Sequence, residues 1–196
     1  RARSDSYAPE FAALGAIFTN AGVASRRYCE PVDWYYTPRT WEERTEAFQR
    51  HAIDLLEEAA VQAVADAGLR INEIDAVVVN TITGLAVPSL DALLMNRLPF
   101  APQTERLPMF GFGCGGGVAG LSRATRLAQT MPGGNVLFLS VDLCSLCIRV
   151  NDRRVVAYVA GALFGDGAAA VVLRNSAGAH NHGPRIGTIA TVGEHL

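Results

Sequence analysis

The stretch "FGFGCGGGVAGLSRA", Phe110 to Ala124, sets one cysteine, Cys114, among the five glycines of Gly111–Gly117 and then runs into a helical pattern rich in Ala, Leu and Arg. Glycine is costly to order and is used where a backbone must bend or be closely approached. Cys114 therefore sits on a tight turn that enters a helix over about Val118 to Thr130. At a helix start the free N–H groups and the positive end of the dipole favour a thiolate. The same N–H groups can hold the oxyanion of a thioester under attack. On chemistry alone, a nucleophile and a buried structural cysteine are both open readings.

Working outward, the surroundings alternate strands with helices. Upstream, Thr40-Trp41-Glu42-Glu43 is a capping box. A helix is predicted from about Trp41 to Ala67, with Ile53, Leu56, Ala60, Ala63 and Val64 on one stripe and Gly68 as the stop. "IDAVVVNTI", Ile74 to Ile82, is a continuous β-branched run and predicts a strand buried on both faces. A helix follows over Ser89 to Arg97, which Pro99 and Pro102 bar from continuing. Downstream, "NVLFLSVD", Asn135 to Asp142, predicts a second buried strand. Val155 to Leu163 is apolar and fits helix or strand. "GDG" at 165–167 reads as a turn, "AAAVVLR" at 168–174 as a third strand, 176–184 as a polar loop and "RIGTIATV" at 185–192 as a further strand. Such alternation means α/β layers. No internal repeat or low-complexity segment interrupts it.

The bulk numbers set limits. The chain has 196 residues, 49% hydrophobic and 18% charged, enough to fill a core. Its net charge is −2, with no basic run beyond Arg26-Arg27 and Arg153-Arg154, which argues against nucleic acid as a partner. The polar start Arg1–Asp5 leads into no apolar core of a signal peptide, and without Met at position 1 the gene is expected to begin upstream. The most apolar stretch, Asn135 to Leu146, contains Asp142 and is too short to span a bilayer. Cysteines at 29, 114, 144 and 147 are too few and too unevenly spaced for a disulfide framework. A soluble protein of a reducing, cytoplasmic compartment is expected.

Two other readings of the cluster compete. Gly111, Gly113 and Gly116 satisfy G-x-G-x-x-G, with Asp142 where a ribose-binding acid would stand. That fingerprint needs a buried strand running into the first glycine. The stretch here is "TERLPMF", with Pro108 inside it and few β-formers. A metal site would use Cys144 and Cys147, but no second pair or histidine lies at ligand spacing, so no metal is expected. Small core or pocket-wall residues are the simpler reading for both, and Cys29 reads as a packing residue.

"FGFGCGGGVAGLSRA" followed after a strand by "GALFGDGAAAVVL" at 161–173 resembles the type III polyketide synthases, the chalcone synthase-like branch of the thiolase-fold condensing enzymes. The resemblance runs from about Gly22 to Val192. It implies a layered αβαβα thiolase-like α/β fold, of which residues 1–196 would be the N-terminal half. It implies that Cys114 takes an acyl group from coenzyme A. Malonyl-CoA is then decarboxylated and its carbanion attacks the thioester, repeatedly, before cyclisation. Acyl-CoA and malonyl-CoA are then the partners, with no further cofactor. Phe164 falls where the family gates the passage from CoA tunnel to pocket. Ile82, Thr83, Cys144 and Cys147 fall on the pocket wall. Val87 falls where the family's homodimer reaches into the neighbour's cavity.

There are departures. The family's plant members carry Lys and Arg ahead of the segment seen here as Arg26-Arg27-Tyr28, to hold CoA phosphates. Leu14, Ile17 and Ala21 occupy those positions, which leaves Arg26 or Arg27 for the task. The catalytic His and Asn of the family come from the second half of its fold. His180, His182 and His195 match no catalytic motif, so the chain is expected to be the N-terminal portion of a larger enzyme. A β-ketoacyl-carrier-protein synthase III-like enzyme of the same superfamily is the alternative, although the docking patch for an acidic carrier is not evident. A non-catalytic nucleotide-binding module is the alternative of another class.

Overall fold

Val77 and Val79 face one side of a central strand and Ala76 and Val78 the other, and helices cover both sides. Double coverage is why the run reads as unbroken hydrophobicity rather than alternation. The computed structural model describes residues 15–175, 185–186 and 190–192. In chain order these form α1 (Gly15–Asn20), α2 (Val32–Tyr36), α3 (Trp41–Asp66), β1 (Ala76–Thr81), α4 (Leu90–Met95), β2 (Glu105–Phe110), α5 (Gly116–Thr130), β3 (Asn135–Leu143), α6 (Val155–Leu163), β4 (Asp166–Arg174), β5 (Arg185–Ile186) and β6 (Ala190–Val192). The sheet runs β2-β1-β3-β4, and β5 and β6 both pair with β4. The pairs β2–β1 and β1–β3 are parallel, and β3–β4 is antiparallel.

Helix α3 lies on one face and α5 on the other. The capping box forms as the sequence predicts. Thr40 Oγ1 accepts the Glu43 N–H at 3.1 Å, and the Glu43 carboxylate accepts the Thr40 N–H at 2.7 Å. Gly68, at φ +70°, follows the helix end. Phe48 and Leu56 of α3 are fully buried against Leu137, Leu139 and Val141 of β3. Each such side chain contributes about 1.5–3 kcal/mol by leaving water.

Helix α5 comes unusually close to the sheet. A Cβ placed on Gly120 would stand 2.3 Å from the Phe138 ring of β3. Gly120→Val is therefore expected to destabilise the domain by about 2–3 kcal/mol through overpacking. Denaturant unfolding checks this, as a lowered midpoint at unchanged slope.

Three expectations are corrected. "TERLPMF" does contain a strand, β2, but at the sheet edge with only Met109 buried. Pro108 is tolerated there because an edge strand has one unpaired side. The "GDG" segment is not a free turn: Asp166 and Gly167 already pair with Leu143 and Asp142 as the first rungs of β4. The strand expected over 185–192 is two short pieces on β4, with 187–189 outside the described residues. Val155 to Leu163 resolves as helix, and α5 begins two residues earlier than its sequence pattern. Leu14, the 176–184 segment, His180, His182 and His195 lie outside the described residues.

Candidate active site

Topology gathers the expected site residues at one edge of the sheet. β1, β2 and β3 are parallel, so the segments that leave them emerge on the same side. Those segments carry Ile82, Thr83 and Val87 after β1, Cys114 after β2, and Cys144 and Cys147 after β3. β4 is antiparallel to β3 and starts at that edge, with Asp166 opposite Leu143, so Phe164 just ahead of it lies there too. The carboxyl ends of parallel strands are where open α/β sheets bind ligands.

Cys114 is exposed on a single 3₁₀ turn, Gly113–Gly115, that feeds directly into α5. Gly113 takes φ +55°, a left-handed conformation that glycine adopts without strain. Gly116, the first residue of α5, lies over the Asn80 side chain, and a Cβ there would stand 2.3 Å from the Asn80 amide nitrogen. The first N–H groups of a helix lack intrahelical partners, so the thiol stands beside a row of donors.

The floor of the edge is polar. Asp142 Oδ1 accepts the Ile82 N–H at 2.9 Å, the Thr81 hydroxyl at 3.3 Å and the Thr83 hydroxyl at 3.4 Å. Thr83 Oγ1 in turn accepts the Leu143 N–H at 2.8 Å. Asp142 thus ties the ends of β1 and β3 together. Asn80 and Ser140, opposite each other on these strands, are joined at 3.3 Å, and the Asn80 Oδ1 is buried with no partner. Asn80 was legible only as a lone polar residue inside an apolar run.

Cys144 and Cys147 open and close a second 3₁₀ turn directly after β3. Cys147 is exposed and Cys144 half-buried, so they line the edge rather than fill the core. Burial pushes the Cys144 thiol up to about 12, and the nearby Asp142 and Asp166 carboxylates and the Cys147 and Cys114 sulfurs add to the shift. Cys29, partly buried against the α3 core, is likewise pushed up to about 12, mainly by burial and then by Asp166. Its backbone N–H donates to Asp166 at 2.7 Å, while its side chain packs against that core, as the sequence reading expects.

Phe164 follows α6 and is 44% exposed, and Val87 is 94% exposed beside a cis Val87–Pro88 bond. Arg26 does not stand free for a phosphate. Its guanidinium donates to the Ala162 carbonyl and lies over the Phe18 ring at 5.7 Å. Arg27 lines a groove with Tyr28, Cys29, His51 and Asp166. Among the described residues no helix is long and apolar enough to cross a membrane.

A family model for "Chalcone and stilbene synthases, N-terminal domain" matches residues 31–177. The 1,3,6,8-tetrahydroxynaphthalene synthase of Streptomyces peucetius subsp. caesius is 42% identical over 163 residues, 83% of this chain and 43% of that protein. The crystal structure of 1,3,6,8-tetrahydroxynaphthalene synthase from Streptomyces coelicolor A3(2), a bacterial type III polyketide synthase, matches with a TM-score of 0.82 at 30% identity, over 87% of this chain and 49% of that one. CsyB complexed with CoA-SH matches with a TM-score of 0.77 at 25% identity, over 92% of this chain and 51% of that one. The chain spans about half the length of the relatives it matches.

Proposed function

The chain belongs to the chalcone and stilbene synthase family, the type III polyketide synthases, and from that premise we propose that it loads an acyl group from an acyl-CoA onto Cys114 and extends it with malonyl-CoA. Its α/β layers are the thiolase-like fold of these enzymes, in their N-terminal half. The observation that carries the proposal is the convergence of an exposed Cys114, at the head of α5, with Phe164, Thr83, Cys144 and Cys147 on one sheet edge. The thiolate attacks the acyl carbonyl and coenzyme A leaves as its thiolate. Malonyl-CoA loses carbon dioxide, and its carbanion attacks the acyl-Cys114 carbonyl and expels the Cys114 thiolate. The His and Asn that support decarboxylation in this family would come from a second half beyond residue 196. Val87, wholly exposed, would reach into the partner's cavity in a homodimer. Arg26 or Arg27 is proposed to contact coenzyme A; Arg26 also donates to the Ala162 carbonyl, and Arg27 lines a groove beside Tyr28 and His51.

Neither alternative gains support. A carrier-protein synthase or a nucleotide-binding module would not explain the match to the chalcone and stilbene synthase model. The dinucleotide reading also needs a buried strand before Gly111, whereas β2 is an exposed edge strand. The proposal is tested by incubating the full-length protein with an acyl-CoA and locating the adduct by mass spectrometry. The adduct is expected on Cys114, and one on Cys144 or Cys147 with Cys114 free would refute the assignment.

The starter is proposed to be a medium or long fatty acyl-CoA, giving alkylpyrones, alkylresorcinols or related phenolics. The small side chains of Cys144 and Cys147 on the wall support this, since a narrow wall would exclude an alkyl chain. Each CH₂ buried in an apolar tunnel contributes about 0.8 kcal/mol, so kcat/KM should rise with chain length. Cys147→Phe is expected to shift the preferred starter to shorter chains, read as kcat/KM across a series. Preference for aromatic starters, unmoved by the substitution, would overturn it.

A further inference from the structure

We propose that Asp166 is a positioning residue for the pocket wall: acting through Ser145, it holds the turn that carries Cys144 and Cys147 in register with the segment that carries Phe164, and so sets the width between wall and gate. The inference rests on the condensing function proposed above.

The Asp166 carboxylate collects three donors from two segments distant in sequence. Its Oδ1 accepts the Ser145 N–H at 2.8 Å. Its Oδ2 accepts the Ser145 hydroxyl at 2.5 Å and the Cys29 N–H at 2.7 Å. Its own backbone N–H donates to the Arg27 carbonyl at 2.9 Å. A chain of hydrogen bonds runs into this carboxylate in one direction. Ser145 has a single hydroxyl hydrogen, and that hydrogen goes to Asp166. The contact between Ser145 Oγ and the Tyr35 hydroxyl, at 2.6 Å, must therefore be donated by Tyr35. Burial holds Tyr35 well above the usual phenol range, which keeps that donor in place. The Tyr35 oxygen then accepts the Glu30 N–H at 3.2 Å.

Ser145 is 1% exposed and sits between the two wall cysteines. The other end of the turn is fixed separately, by Arg44 and Arg149 donating to the Leu146 carbonyl at 2.5 and 3.2 Å. Phe164 stands two residues ahead of Asp166, and Ala162 two residues further back is held by Arg26. The Asp166 carboxylate thus ties the gate segment to the wall turn at Ser145 and to Cys29, and its backbone N–H ties the same segment to Arg27. Hydrogen bonds to a charged acceptor are stronger than neutral ones, and removing one partner leaves buried donors unsatisfied. The wall turn should then move while the Cys114 turn, held by Gly116 on Asn80, stays in place.

The test uses Ser145→Ala and Asp166→Asn in the full-length protein. Iodoacetamide labelling of each cysteine is followed by mass spectrometry, alongside the kcat/KM ratio of a long to a short acyl-CoA starter. Labelling of Cys144 is expected to speed up by about tenfold or more in Ser145→Ala, where no charge beside the thiol changes, with Cys114 within about twofold of wild type, because opening the turn exposes the sulfur and relieves the burial that suppresses its reactive thiolate. The starter ratio is expected to change by about tenfold. A merely structural role would loosen the whole domain and speed Cys114 as well, which would overturn the proposal. Unchanged Cys144 labelling in a folded variant would overturn it too, and changed labelling with an unchanged starter ratio would overturn its link to specificity. Should Asp166→Asn fail to fold, Ser145→Ala decides alone. Should the wild-type protein condense no acyl-CoA, the functional reading fails, and the labelling pattern still decides the clamp.

Discussion

Cys114→Ala is expected to abolish acyl loading and to lower product formation by at least about 10⁴-fold, while leaving the fold in place. The loss is large because a covalent intermediate cannot form without the sulfur, and removing a nucleophile costs most of an enzyme's rate. The fold should survive because Cys114 is exposed and fills no core. Cys114 also has glycines on both sides, and Gly113 and Gly116 carry the turn's conformation and its approach to Asn80. Replacement should change stability by less than about 1 kcal/mol, as for a surface site. Intact mass after exposure to acyl-CoA, product formation and a melting curve check the three parts. Turnover within tenfold of wild type would remove Cys114 from the mechanism. The other thiols are poor substitutes, since Cys29 and Cys144 are held up to about 12 and so carry little thiolate near neutral pH.

The elements that build this site differ in how far the sequence discloses them. Helix α3 is written locally: Thr40 and Glu43 fix its start, and Ile53, Leu56, Ala60 and Val64 keep one face apolar. β1 and β3 are equally plain, because burial on both faces demands unbroken β-branched or apolar runs. β2 is hidden for the opposite reason. Glu105, Arg106 and Pro108 suit an edge strand that buries only Met109, and such a strand has no strong periodicity. Asp166 misleads differently. Flanking glycines mark a turn by local rules, yet pairing with Leu143 draws it into the sheet. The same split holds for the site. Cys114 is legible from its glycines and the helix behind it. Its neighbours are not, because only the strand order brings the ends of β1, β2 and β3 and the start of β4 to one edge. Asp142 is joined to Ile82 across 60 positions of chain and Ser145 to Tyr35 across 110, and no spacing rule connects either pair.

Residues 1–196 expressed alone are expected to decarboxylate malonyl-CoA at less than about 1% of the rate of the full-length enzyme. Decarboxylation produces an enolate, and the donors that would stabilise it are worth several kcal/mol in transition-state free energy. In this family they are a His and an Asn from the second half of the fold. His51, the only histidine among the described residues, is bound to Glu30 at 2.9 Å. Cys114 would retain only the start of α5 for activation, so alkylation by iodoacetamide should persist where condensation does not. The same chain should be poorly soluble. Phe110, Phe112, Val118, Val155, Val156, Leu163 and Phe164 are all exposed by more than two-fifths, and Phe110, Phe112, Leu163 and Phe164 stand on the segments next to Cys114 and at the start of β4. Apolar surface gathered in this way drives association unless something covers it. A second half that closes over Cys114 would bury these side chains and deliver the missing donors in one step, so catalysis and solubility should be recovered together when it is present. Size-exclusion chromatography and carbon dioxide release measure the two properties on the same sample. A monodisperse monomer that decarboxylates malonyl-CoA within tenfold of the full-length rate would show that residues 1–196 carry their own base, and would redirect the search to His180, His182 and His195.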